Sequence, residues 1–159
     1  MTRVLALVTA LALGCAVWFG VEAASLSPGS NQALVDSAAT ASVSAEVSDA
    51  VKAVFSYDYS NLARTERAAS QVLTGEAVGQ YRAQFASART RAAAEKLVRT
   101  TTVRAVGVRS LVGDDASLLL FLDQQTVGSG GALSSSVAQL AVTARRVDGH
   151  WKISSLTAL

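Results

Sequence analysis

Apolar residues follow three successive patterns along this chain. From Val4 to Val21 (VLALVTALALGCAVWFGV) they run with no charge among them. From Gln32 to about Val98 they recur every three or four positions, and from Thr101 onward they alternate with polar residues. The three patterns predict a membrane-inserting segment, a set of helices and a set of strands.

The helical region divides at its turn signals. Pro28-Gly29 breaks a short linker, and Asn31 is placed to cap a first long helix over Gln32–Phe55. Leu34, Ala38, Ala41, Ala45, Ala50, Val51, Val54 and Phe55 would form its shallow apolar face. Ser56 to Asn61 interrupts it, and a second helix is expected over Leu62–Leu73. Thr74-Gly75-Glu76 restarts the chain, and a third helix would reach about Val98 with Val78, Tyr81, Phe85, Ala88, Ala92 and Leu97 on one side. Its other side carries Arg82, Arg89, Arg91, Glu95 and Lys96, the composition of a solvated face.

Strands follow at Thr101–Val112, Ala116–Val127, Ser134–Val147 and His150–Leu156, joined by Gly113-Asp114-Asp115, Gly128–Gly131 and Asp148-Gly149. Asp-Gly between alternating runs is a strong hairpin signal. The near-continuous apolar run LLLFL in the second of these strands predicts a central strand covered on both faces. Helices first and antiparallel strands afterwards define an α+β domain, here a curved meander with helices on its concave face. The expected organisation is a segment at 1–23, a linker at 24–31 and one domain at 32–159.

The N-terminal run is long enough, at ~1.5 Å per residue, to nearly cross a hydrocarbon core of roughly 30 Å. Arg3 precedes it, which favours a cytoplasmic N-terminus and an extracytoplasmic domain. Two other readings also export the domain: a signal peptide cleaved after Ala23, and a lipoprotein signal at Ala12-Leu13-Gly14-Cys15. Cys15 is the sole cysteine of the chain, so the exported part has no disulfide to hold it and must rely on its core. The formal net charge of +2 is too small to argue for nucleic acid.

The ordered set Phe55-Ser56-Tyr57-Asp58-Tyr59, Leu73-Thr74-Gly75 with Tyr81 following, the strand Leu119–Thr126, and Arg146-Val147-Asp148-Gly149-His150-Trp151 resembles the mammalian cell entry (Mce)-associated membrane proteins of actinobacteria. That resemblance implies a cone like nuclear transport factor 2, in which helices close a bent sheet. It also implies a single-pass, non-catalytic accessory protein that assists an Mce-type lipid importer. Its partners would be Mce transporter subunits, membrane lipid through the N-terminal helix, and a lipid ligand in the cone.

Cones of this kind also serve as lyases and isomerases, as lipid-binding modules, or as assembly modules of secretion systems. Acid–base chemistry would need ionisable groups converging on an apolar cavity. The candidates are Tyr57, Asp58, Tyr59, Tyr81, Asp123 and His150. Of these, Asp58 and His150 fall in turns, Tyr57 and Tyr59 suit a plug between the first two helices, and Asp123 suits a polar strand exit. No catalytic or cofactor-binding residue is therefore assigned. One histidine and a cysteine inside the apolar run cannot supply a His/Cys metal set, and Gly128–Gly131 lacks the lysine and helix of a phosphate loop. The arginines of the third helix could also meet anionic headgroups.

Overall fold

The computed structural model describes residues 31–159. The expected membrane segment (1–23) and all but the last residue of the linker lie outside the described residues. Among the described residues no helix is long and apolar enough to cross a membrane.

Asn31 holds the start of the described chain in place. Its Oδ1 accepts from Ala33 N–H at 3.0 Å and Leu111 N–H at 2.9 Å, and its Nδ2 donates to the Arg109 carbonyl at 3.2 Å. One side chain thus caps a short 3-10 turn over Gln32–Leu34 and satisfies the edge of a distant strand. Replacing Asn31 with alanine should cost about 1–2 kcal/mol, the upper part of the range for a lost cap. Urea denaturation measures this, and an unchanged midpoint would refute the role.

The single helix expected over Gln32–Phe55 is divided. Asp36 takes an extended backbone and accepts from Ala39 N–H, so the α-helix starts afresh as α1, Ser37–Phe55. This new start also shifts the buried face. Val43, Val47, Ala50, Val51 and Val54 are buried, whereas Leu34 is 84% exposed and Ala41 and Ala45 are exposed. The β-branched valines mark the face more faithfully than the alanines, which gain little from burial.

The chain continues as β1 (Tyr57–Asp58), α2 (Leu62–Val72), α3 (Gly75–Glu95), β2 (Val98–Val112), β3 (Asp115–Val127), β4 (Leu133–Val147) and β5 (His150–Ala158). All five strands form one antiparallel sheet in the order β1-β2-β3-β4-β5. The sequence did not signal β1, whose pair Tyr57 and Asp58 lies beside Arg99 and Val98. The third helix ends at Glu95, short of Val98, because Lys96 adopts a left-handed backbone and Leu97 N–H closes onto the Ala92 carbonyl. The Asp148-Gly149 hairpin forms as expected, with both residues at positive φ.

α1 packs on β2 and α3 on β5, so the helices cover one face of the sheet. Two bulges in β2 leave Arg104 and Arg109 unpaired and keep Val103, Val106, Val108 and Leu111 on the covered face. The alternation that left Ala105 and Val106 equivalent is thereby resolved in favour of Val106. In β3, Leu118, Leu120 and Leu122 are buried, whereas Phe121 is 38% exposed. The expectation of a strand covered on both faces is corrected: one face is bare, and the run LLLFL reads as continuous because Leu119 and Phe121 are apolar on that bare face.

Leu73-Thr74-Gly75 joins the helices to the far edge of the sheet. Leu73 bridges to Ile153, and Thr74 N–H donates to the Ile153 carbonyl at 2.8 Å. Gly75 has φ +54, and a Cβ there would lie 3.3 Å from the Ser154 carbonyl oxygen, so both backbone and space favour glycine. On the same edge strand, Glu46 of α1 accepts from Trp151 N–H at 3.0 Å. The end of α1 is fixed to β2 where Thr101 donates to the Phe55 carbonyl and takes its own N–H bond to Ser56 Oγ.

Candidate binding groove

α2 and α3 touch sparsely, because α2 faces its neighbour with the small residues Ala69 and Ser70. Between them lies a groove of about 530 Å³ walled by Leu73, Val78, Phe85 and Ala86. Tyr81 stands at its base. The ring stacks on Phe85 at 4.9 Å between centroids and 17° between planes. The residue is 8% exposed, and its buried hydroxyl has no hydrogen-bond partner among the described residues. Burial, reinforced by the Glu66 carboxylate, pushes that hydroxyl's pKa well above the ordinary tyrosine value, so it stays protonated. At the rim, Glu66 is held by Arg89 at 2.7 Å, and Arg82 lies alongside.

A smaller hollow of about 190 Å³ adjoins the other side of Tyr81 and Phe85, with Tyr57 and Arg99 in its wall. Tyr57 meets Phe85 edge-on at 6.4 Å, and the Arg99 guanidinium lies 5.2 Å from its ring centre. Tyr57 therefore fills space against α3 and also borders the hollow between the first two helices. Tyr59 is 40% exposed and plugs nothing, which corrects its expected role.

The remaining candidates lie apart from the groove. Asp58 accepts from Ser60 N–H at 2.8 Å and Ser60 Oγ–H at 2.7 Å, the turn bonding expected of it. These two bonds hold its carboxyl below the ordinary 3.8. A carboxyl so lowered stabilises the fold above the unfolded-state value, and the effect is lost as pH falls through the folded-state pKa. Carboxyl-carbon NMR should find the Asp58 midpoint below 3.8; a midpoint at or above it would contradict the bonding.

Asp123 lies on the bare face of the sheet with Arg104 at 3.6 Å, the solvent-directed placement expected for it. His150 is exposed at the β4–β5 turn, 3.7 Å from Glu46. Among the described residues the buried polar or charged side chains are Thr65 and Thr101, with no carboxylate or histidine. No group of three potential metal ligands occurs among them either.

The sequence points to Tyr81 but not to the groove around it. Arg82 and Arg89 belong to the helix side expected to be solvated, yet both border an apolar slot. The available signal was the small-residue pair Ala69-Ser70, whose opposing position on α3 only the fold reveals.

The bare face of the sheet carries apolar side chains of its own. Val98, Val127 and Leu133 form one cross-strand row, exposed at 37%, 40% and 63%, and Val137 is 78% exposed. Phe121 lies on the same face. A solvated sheet face usually alternates to polar residues, and exposed apolar groups gathered on one face mark contact surfaces.

The architecture is thus an α+β cone in which helices close one face of a five-stranded antiparallel sheet. The same fold occurs in two periplasmic domains and in a type IV secretion system protein. A periplasmic fragment of TraM aligns with 75% of this chain and 96% of its own, at a TM-score of 0.64 and 18% identity. An IcmL-like type IV secretion system protein from Legionella pneumophila aligns with 78% of this chain and 93% of its own, at 0.65 and 10% identity. The periplasmic domain of DotI aligns with 75% and 94%, at 0.62 and 18% identity. No family model matches the chain, and no curated protein matches it. The fold half of the residue resemblance is therefore borne out, while its Mce half is carried by that resemblance alone.

Proposed function

We propose that the domain is a non-catalytic assembly module, held outside the cytoplasmic membrane and acting through protein contacts in a multiprotein envelope complex. The observation that carries this reading is the fold match spanning 93–96% of three solved structures: a periplasmic fragment of TraM, the periplasmic domain of DotI and an IcmL-like type IV secretion system protein. The interior is in keeping with it, since the buried polar side chains among the described residues are Thr65 and Thr101, with no carboxylate or histidine. The bare sheet face offers the contact surface, with Phe121, Val137 and Leu133 exposed. A secretion-type apparatus is favoured as the complex. The narrower Mce reading rests on the ordered motifs Phe55–Tyr59, Leu73–Gly75 and Arg146–Trp151.

The test is photo-crosslinking in the native cell from a reactive residue placed at Val137, with position 91 on α3 as the control. A covalent adduct to an envelope protein is expected from position 137 and none from 91. Equal adducts from both positions, or none from 137, would overturn the surface assignment.

A further inference from the structure

The Tyr81 hydroxyl has no task in the packing of the domain. A phenylalanine at that position would keep the stacked contact with Phe85, since that contact is between ring faces. Tyr81 nevertheless lines an open apolar groove, and its hydroxyl is buried with its hydrogen-bonding capacity unused among the described residues. Buried polar groups are normally satisfied, and one that is not marks a place where a partner belongs. The groove volume of about 530 Å³ lies within the range of small-molecule sites.

We propose that the groove between α2 and α3 binds a small apolar molecule carrying a neutral acceptor oxygen, a ketone, ester or amide carbonyl, to which the Tyr81 hydroxyl donates. The burial of the hydroxyl selects the class. Leu73, Val78, Phe85 and Ala86 receive the apolar body. Burial of the Tyr81 hydroxyl, and after it the Glu66 carboxylate, raise the energy of a negative charge placed there, so a carboxylate stripped of its water at Tyr81 is disfavoured. Arg89 pairs with Glu66 at 2.7 Å, and both it and Arg82 are exposed at the rim. A protonated phenol offers a hydrogen to a carbonyl without requiring a compensating charge. This site is separate from the bare sheet face and stands or falls independently of the assembly role.

Benzophenone is a suitable probe, because it is a neutral aryl ketone that photolabels C–H groups beside it. The full chain in lipid nanodiscs is irradiated with benzophenone and the labelled peptides are mapped. Labels are expected on the α2–α3 peptides carrying Leu73, Val78 or Ala86. Tyr81→Phe should lower labelling there by about five- to tenfold, the range for one lost hydrogen bond. Ala86→Trp, which fills the groove from an exposed wall, should abolish it. Diphenylmethane, which lacks the oxygen, should compete poorly with benzophenone, as should a benzoylbenzoate, which adds a carboxylate. Labelling confined to other parts of the chain, or labelling of the groove that neither substitution reduces, would overturn the proposal. Equal competition by the carboxylate would overturn the selection for a neutral ligand.

Discussion

Trp151→Ala should destabilise the domain by about 3–5 kcal/mol, the range for removing a large aromatic from a packed core. Trp151 is 3% exposed at the start of β5, and Arg146 covers its ring at 4.8 Å. The backbone bond from Trp151 to Glu46 survives the substitution, so the loss falls on the ring contacts. Against a total stability of about 5–15 kcal/mol, such a loss leaves a substantial unfolded population. The indole N–H is buried with no partner among the described residues. Trp151→Phe, which removes that N–H and keeps much of the ring, should therefore cost less than half as much. Denaturant unfolding followed by circular dichroism gives both values, with Trp18 invisible to the readout. A cost below about 1.5 kcal/mol for the alanine variant would place the ring outside the core.

Adjacent residues of β3 should respond very differently to the same truncation. Leu120 is fully buried between Val106 and Leu140 on the neighbouring strands, and Leu120→Ala should cost about 2–5 kcal/mol. Phe121 is the larger side chain, yet it lies 38% exposed on the bare face. Phe121→Ala should cost less than half the Leu120 value in the isolated chain, because part of its area is never removed from water. The pair distinguishes a sheet covered on one face from a sheet covered on two. Equal losses would restore the two-sided strand that LLLFL suggests.

That strand shows why the sequence was legible in outline and misleading in detail. Period-2 alternation locates β2 and β4, a continuous apolar run locates β3, and Asp148-Gly149 locates the hairpin into β5, because those signals arise from local backbone chemistry. The facing of β3 differs from the one LLLFL suggests because Leu119 and Phe121 are apolar on the face that the helices leave bare. In α1 the reverse occurred: the break at Asp36 reset the helical phase, and a pattern counted through Leu34 selected the wrong alanines. β1 was invisible because two residues have no period, and its pairing with Val98–Arg99 is set only by tertiary contact.

The candidate site was less legible still. Tyr81 was named from residue type, and Asp58, Asp123 and His150 proved to lie at the turns or surface positions expected of them. The groove depends on the distance between α2 and α3, which is fixed by Leu73-Thr74-Gly75 docking on β5. No spacing within either helix records that distance. The ordered motifs did carry the fold: three of them form joints between elements, Phe55–Tyr59 at the α1–β1 corner, Leu73–Gly75 at the β5 edge and Arg146–Trp151 at the final hairpin, and the fourth, Leu119–Thr126, lies within β3.

The central claim is that this domain works as part of an assembly. Its most direct test is the mass and composition of the full chain purified at native abundance from its own membranes in mild detergent. The account predicts a particle far larger than the 16.4 kDa chain, with envelope proteins present in fixed stoichiometry. A monodisperse single chain with no stoichiometric protein partner would contradict it.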